Sequence, residues 1–172
     1  MPGVTIDRQC GSSQQAVHFA AQAVMSGTQD IVVAGGVQNM SQIPIASAML
    51  AARELGFSDP FSGSEGWVAR YGKTPVSQFS SAEMIANKWE ITRRDMEEFA
   101  LTSHSRAIAA IDGGYFEREI VPYKDVTADE GPRRGTTLEK MATLRTLADG
   151  GRLTAGVSSQ ISDGCLLYTS PS

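Results

Sequence analysis

Of the two cysteines in this 172-residue chain, Cys10 stands where a thiol can do chemistry. It follows the short run Val4-Thr5-Ile6 and precedes Gly11-Ser12-Ser13, where a helix is predicted to begin. The first amides of a helix have no intrahelical acceptor, and the positive end of the helix dipole lies among them. A sulfur placed there is favoured as thiolate over thiol, and the thiolate is the nucleophile. Gly11 carries no Cβ, so a substrate carbonyl can come close. A buried structural cysteine fits the same spacing, because a lone cysteine commonly behaves as a small hydrophobe. Spacing alone leaves both readings open.

Other residues offer less. His18 lies about two turns into the predicted helix, away from its start, and reads as a surface or core histidine rather than a base for Cys10. His104, in Thr-Ser-His-Ser, also reads as structural. Gly35-Gly36 has neither the G-x-G-x-x-G spacing nor a P-loop lysine, so it is no phosphate cradle. It reads as room for close backbone packing. Arg133 and Arg134, in a loop flanked by Pro132 and Gly135, present forks that suit phosphate, although such a pair is ordinarily solvated. Ser159 taken alone is a surface hydroxyl. No His/Cys set has metal-ligand spacing, and no metal is expected.

The elements that must position Cys10 are read from periodicity. A strand is predicted over 4–7, a helix over 13–26 stopped by Gly27, and a strand over 30–34. Together they predict a right-handed βαβ unit with parallel strands, the second strand buried on both faces. A helix is possible over 45–55. Residues 56–76, rich in Gly, Ser and Pro, read as irregular. Helices are predicted over 80–89 and from Thr92, with Asp95 in capping-box position and Gly113-Gly114 as the stop. The second is expected to pack through Met96, Phe99, Ala100, Ser103, Ala107 and Ala110. An edge strand is predicted over 119–123, a loop over 125–136 and a return strand over 153–156. Residues 165–172 read as an apolar start without an element.

Composition narrows the function classes. Lys+Arg number 15 against 19 Asp+Glu, a net charge of −4, which gives no basic footprint for nucleic acid or an anionic membrane. The hydrophobic fraction of 41% and charged fraction of 20% are those of an ordinary globular domain, not a disordered chain. No apolar run approaches the ~20 residues of a membrane span. No basic and apolar leader follows Met1. Two cysteines make no disulfide framework, so the expected compartment is cytoplasmic. Both ends read as cut, and the expectation is a fragment.

Longer segments carry a resemblance. DRQCGSSQQAVHFAAQAVMSGTQDIVVAGGVQNMSQIPI resembles the nucleophilic-cysteine region of the thiolases, the acetyl-CoA acetyltransferases and 3-ketoacyl-CoA thiolases. The likeness continues through SSAEMIANKWEITRRDMEEFALTSHSRA, GGYFEREIVPY, TTLEKMATLR and LTAGVSSQISDG, and so spans residues 4–164 in family order. Within them, TRRDMEEFALTSH and TAGVSSQISDG separate it from the decarboxylating ketoacyl synthases, which share the broad fold. The resemblance implies an α/β chain forming part of the layered thiolase fold, a βαβ unit with the nucleophile helix plus an inserted α-rich loop domain. By that likeness residues 1–46 are partial N-terminal core, 47–152 the loop domain over coenzyme A, 153–164 a return to the core, and 165–172 an unrelated tail.

The resemblance implies acyl transfer between coenzyme A thioesters, by cleavage of 3-oxoacyl-CoA or condensation to acetoacetyl-CoA. Cys10 would be the acyl carrier, CoA a substrate, and no resident cofactor is required. Arg133, with Arg134 beside it, falls at the family's basic position near the adenine-diphosphate end of CoA. Ser159 falls where a serine meets the pantetheine arm. Gln78 falls where many relatives have a Met lining the acyl pocket. Lys140 stands where some relatives have a serine, and Val157 where Asn is frequent, so acyl preference is the property in question. The family's Gly-His motif, Asn-Glu context and second Cys before Gly do not occur in these residues, and Cys165 does not match that cysteine. The expectation is acylation or alkylation of Cys10 without turnover. Homodimers or homotetramers are implied, with no nucleic-acid or membrane partner. The competing reading is a non-catalytic CoA- or partner-binding module with an incidental cysteine.

Overall fold

The computed structural model describes residues 3–57, 64–73 and 76–171. They fall into two compact units: Met1–Ala48 with Ile161–Ser172, and Met49–Gln160. The architecture is mixed α/β, as the sequence predicts.

In the first unit a 3₁₀ turn, Gln9–Gly11, runs into helix α1, Ser12–Met25. The helix ends as its residues require. Gly27 adopts φ +69°, a conformation that costs glycine little, and its amide donates to the Val24 carbonyl. The Ser26 and Thr28 hydroxyls and the Gln29 amide all donate to the Ala23 carbonyl. Strand β1, Ile31–Gln38, follows, and α1 packs against it through buried Ala20 and Ala34.

The ladder differs from the expected one. Residues 4–7 form no strand, and β1 pairs antiparallel with β2, Gly164–Pro171, in a register from Ile31↔Pro171 to Gln38↔Gly164. A strand exists only where its amides and carbonyls find a neighbouring ladder. β2 takes that place beside β1, and nothing among the described residues pairs with 4–7. The segment read as a tail without an element thus becomes a strand, in keeping with its Leu-Leu-Tyr-Thr composition. The Asp163 carboxylate accepts the Met40 amide at 2.6 Å and ties the ends of the pair. Burial on both faces of β1 is not observed: Ile31, Val33 and Val37 are exposed, because a single helix packs on a two-stranded sheet.

The second unit is helical. Helix α2, Ser47–Glu54, begins at the boundary between the units, and α3, Glu65–Tyr71, α4, Gln78–Lys88, α5, Arg93–Asp112, and α6, Leu138–Ala142, follow. Helix α3 lies inside the stretch read as irregular. Its start is fixed by the Ser64 hydroxyl, which accepts the Trp67 amide. Residues 58–63 and 74–75 of that stretch lie outside the described residues. Among the described residues of this unit, the buried apolar side chains are Ala86, Met141 and Leu153. Polar staples therefore carry much of its order. The Glu83 carboxylate accepts the amides of Arg152 at 2.6 Å and Leu153 at 2.8 Å. The Arg152 guanidinium in turn donates to Asn87 and to the Ile91 carbonyl.

Helix α5 opens on the expected capping box. The Thr92 hydroxyl accepts the Asp95 amide at 3.1 Å, and the Asp95 carboxylate accepts the Thr92 amide at 2.8 Å. Of the face read in the sequence, Met96, Ala100, Ala107 and Ala110 are half-buried, and Phe99 and Ser103 are exposed. Phe99 is 79% exposed, while Glu97 is buried and Leu101, His104, Ile108 and Ile111 are half-buried. The face also includes Glu97, which goes inward accompanied by Arg93 in a salt bridge. The predicted edge strand over 119–123 is instead a tight reversal in which Tyr123 and Val126 exchange backbone hydrogen bonds, with Lys124 at φ +55°. The return strand over 153–156 is reduced to a bridge, Thr146↔Thr154, and a 3₁₀ turn, Ala155–Val157.

The Thr92 hydroxyl, and then its amide, hold the Asp95 carboxyl below the usual carboxylate range. A folded value below the unfolded one gives a stabilisation that is complete above the ordinary carboxylate pKa, about 4. It is lost as pH falls through the lower folded value. Thr92→Ala removes the cap and is expected to lower the melting temperature at pH 7 by roughly 2–4 °C. The deficit should shrink between pH 4 and pH 2 as Asp95 protonates. Thermal melts across that range test this, and a deficit constant with pH would contradict it.

Candidate active site

Cys10 is a free, exposed thiol in the 3₁₀ turn that feeds α1. The turn is a hydrogen-bonded corner. Gln9 adopts φ +47°, unusual for a residue with a side chain. Asp7 accepts the Gln9 amide at 3.1 Å, and the Ser12 hydroxyl accepts the Arg8 amide at 2.8 Å while donating to the Gln9 carbonyl at 2.7 Å. The Gly11 amide donates to the Arg8 carbonyl. These bonds hold the residues on both sides of Cys10. No side chain caps the start of α1. The Ser12 amide donates instead to the Gln9 carbonyl of the 3₁₀ turn, and the positive end of the α1 dipole lies at this corner. A Cβ at Gly11 would lie 2.6 Å from Arg8 Nη1, the mobile end of that side chain. His18 is exposed on α1.

In the second unit the basic loop is braced against α5. The Arg133 amide donates to His104 Nδ1 at 3.2 Å, and the Thr136 hydroxyl donates to the Arg133 carbonyl. Arg134 makes a forked pair with Asp112, at 3.0 and 2.5 Å. That guanidinium holds the Asp112 carboxyl below the usual range, and the carboxylate raises Arg134 further. Gln160 Nε2 donates to the Gly131 carbonyl at 2.6 Å, and Lys140 Nζ to the Gly135 carbonyl at 2.8 Å. The two arginines are thereby separated in kind. Arg134 is engaged within the fold, whereas the Arg133 guanidinium makes no hydrogen bond or ion pair among the described residues.

Ser159 is exposed, and among the described residues its hydroxyl has only a long, 3.5 Å contact to the Gln160 carbonyl. Gln78, the first residue of α4, lines a largely apolar groove of about 470 Å³ with Trp67, Tyr71, Val76, Ser81, Ala82 and Ile85. The Trp67 and Tyr71 rings lie 4.6 Å apart at its wall. The structure thus joins Arg133, Arg134 and the neighbour of Ser159 in one hydrogen-bonded loop region, and it sets Gln78 on the groove. Cys10 belongs to the other unit. His104, Asp112 and Gln160 were not singled out by sequence as parts of the loop, and pairs separated by 22 to 29 residues leave no local signal. Among the described residues no cluster of His, Cys, Asp or Glu is arranged to hold a metal ion, and no helix is long and apolar enough to cross a membrane.

Comparison with known proteins gives this geometry its context. The family model described as the thiolase N-terminal domain matches residues 1–167. A steroid 3-ketoacyl-CoA thiolase of Mycobacterium tuberculosis is 57% identical over 168 residues, which is 95% of this chain and 41% of that protein. A 3-ketoacyl-CoA thiolase of Escherichia coli is 38% identical over 175 residues, 95% of this chain and 42% of that protein. Among solved structures, the dimeric peroxisomal thiolase of Saccharomyces cerevisiae superposes with a TM-score of 0.73 at 32% identity, covering 95% of this chain and 42% of that one. An acetyl-CoA acetyltransferase from Syntrophomonas wolfei gives 0.69 at 35% identity, covering 93% and 42%.

An α/β unit with a free cysteine at a helix start is here part of the acyl-CoA thiolase and transferase superfamily. Within it, the chain belongs to the thiolase family through its N-terminal domain. It spans about two fifths of the length of the relatives named here, between 41% and 42%.

Proposed function

We propose that Cys10 is the acyl-accepting nucleophile of a coenzyme A thiolase, interconverting 3-oxoacyl-CoA with a shortened acyl-CoA and acetyl-CoA. One observation carries the reading: the exposed thiol sits in a braced corner just ahead of the uncapped start of α1. In the half-reaction assigned to this chain, the Cys10 thiolate adds to the carbonyl of an acyl-CoA. The bond from that carbon to the CoA sulfur breaks, CoA leaves as its thiolate, and a new thioester joins the acyl group to Cys10.

Arg133 is proposed to meet the CoA phosphates, for which an unengaged fork is suited, and Arg134 to support it from its pair with Asp112. Ser159 is proposed for the pantetheine arm and Gln78 for the acyl group. Residues 47–152 are proposed as the loop domain that covers CoA, with 1–46 and 153–164 as thiolase core. The likeness to a steroid thiolase supports a bulky acyl substrate. The dimeric yeast relative supports assembly as a homodimer or homotetramer, and a thiol kept free supports a cytoplasmic setting.

The test is incubation of the chain with acetyl-CoA, followed by mass spectrometry of its peptides. One acetyl group on the peptide containing Cys10, with release of CoA, is expected. CoA binding without any adduct would instead identify a non-catalytic binding module.

A further inference from the structure

We propose that His104 is a positioning residue for coenzyme A binding: it grips the backbone of Arg133 and so presents that guanidinium to the CoA phosphates. The inference rests on the reading of Arg133 given above.

The geometry supports a grip that is local and two-sided. His104 Nδ1 accepts the Arg133 amide at 3.2 Å, while the Thr136 hydroxyl donates to the Arg133 carbonyl at 3.2 Å. Both backbone groups of Arg133 are thereby held, and among the described residues its side chain is left unengaged. The neighbours are fixed as well. Gly131 is held by Gln160, and Arg134 by Asp112. His104 and Asp112 both stand on α5, about two turns apart, so one helix docks two successive loop residues, one by its backbone and the next by its side chain.

Ordering a loop arginine around a phosphate costs conformational entropy at the moment of binding. A backbone already held before the ligand arrives avoids most of that cost. The ring presents Nδ1 as the acceptor for the Arg133 amide, so the grip is a single directed hydrogen bond. The side chain is half-buried on the packed face of α5, which makes its ring a firm anchor. This explains why a polar side chain occupies a place on that face that an apolar one would fill.

The experiment is calorimetric titration of CoA into the 172-residue chain and its variants. His104→Leu, which lacks the acceptor, is expected to weaken CoA binding about five- to tenfold, the effect of one net hydrogen bond. His104→Asn sets an amide oxygen as many bonds from the backbone as Nδ1, and it is expected to restore binding. Arg133→Ala is expected to weaken binding further, and His104→Leu on that background to add nothing. A His104→Leu chain that binds as the wild type overturns the inference. So does an equal loss on the Arg133→Ala background, or a failure of Asn to restore binding. Wild-type binding that Arg133→Ala leaves untouched overturns the assignment of Arg133 and this inference with it. No binding by the wild type removes the proposed function itself.

Discussion

Cys10→Ala is expected to abolish acyl transfer from acetyl-CoA to the chain, leaving no adduct on any peptide. Cys10→Ser should lower the rate on the order of 10⁶-fold, the size of loss that follows removal of a nucleophile in a well-studied hydrolase. The serine variant is the more informative. Its hydroxyl occupies nearly the same volume and keeps the corner intact, so Asp7, Ser12 and Gly11 can retain their bonds to the flanking backbone. What it lacks is the ready ionisation of a thiol, and a neutral hydroxyl is a poor nucleophile without an adjacent base. A serine variant acylated at a rate within tenfold of the wild type would show that the corner does not act through its sulfur. Iodoacetamide gives an independent arm that requires no CoA site. Carboxymethylation at Cys10 is expected to outpace that at Cys165, and equal rates would favour an incidental cysteine.

The fold was legible where local rules decide it. The α1 stop at Gly27 and the Thr92–Asp95 capping box are written in a few adjacent residues, and both are present. The ladder was not legible, because strand pairing is decided by which segments are neighbours, and nothing within Val4–Ile6 or Ile31–Ala34 encodes its partner. β1 pairs with a segment more than a hundred residues away. The inward face of α5 was legible at Met96, Ala100, Ala107 and Ala110 but not at Phe99, for a related reason. Apolar spacing placed Phe99 inside, but the helix turns Glu97 inward, and a buried carboxylate is invisible to a hydrophobic pattern unless its cationic partner at i−4 is counted with it. Arg93 was in plain view at that spacing.

The candidate site was legible to a similar degree. Cys10 could be singled out from its place between a short β-branched run and a glycine, although Val4–Ile6 is no strand, because the helix start alone defines the environment. The Arg133–Arg134 pair could be seen in sequence, but not the division of labour within it. That division depends on Asp112, contributed by the end of α5, and on His104 beneath the loop. Residue type reveals that an arginine can bind phosphate. Only the surrounding hydrogen bonds reveal which of two adjacent arginines still has its donors to offer.

The second large effect is expected at Arg93. Its Nε donates to Glu97 Oε1 at 2.7 Å, and its Nη2 donates to the carbonyls of Met141 at 3.0 Å, Ala142 at 3.1 Å and Leu144 at 2.8 Å. One guanidinium thus neutralises a carboxylate whose side chain is only 4% exposed and closes the end of α6. Arg93→Ala leaves that carboxylate without its salt-bridge partner and takes a donor from three carbonyls, of which Met141 alone, among the described residues, keeps a backbone amide, that of Leu144, so a loss of about 3–5 kcal/mol is expected. Glu97→Leu alone should cost less, because the arginine keeps its carbonyls. The double variant Arg93→Met, Glu97→Leu should be more stable than Arg93→Ala, since neither charge remains to be paired. Urea denaturation of the three variants tests this ordering, and an Arg93→Ala loss below about 1 kcal/mol, the range of an exposed pair, would contradict it. The consequence reaches the proposed site through chain connectivity. The loop carrying Arg133 runs from α5 to α6, and Arg93 is the side chain that joins the start of the first helix to the end of the second. Loosening that joint should cost CoA affinity even though Arg93 is nowhere assigned to the ligand.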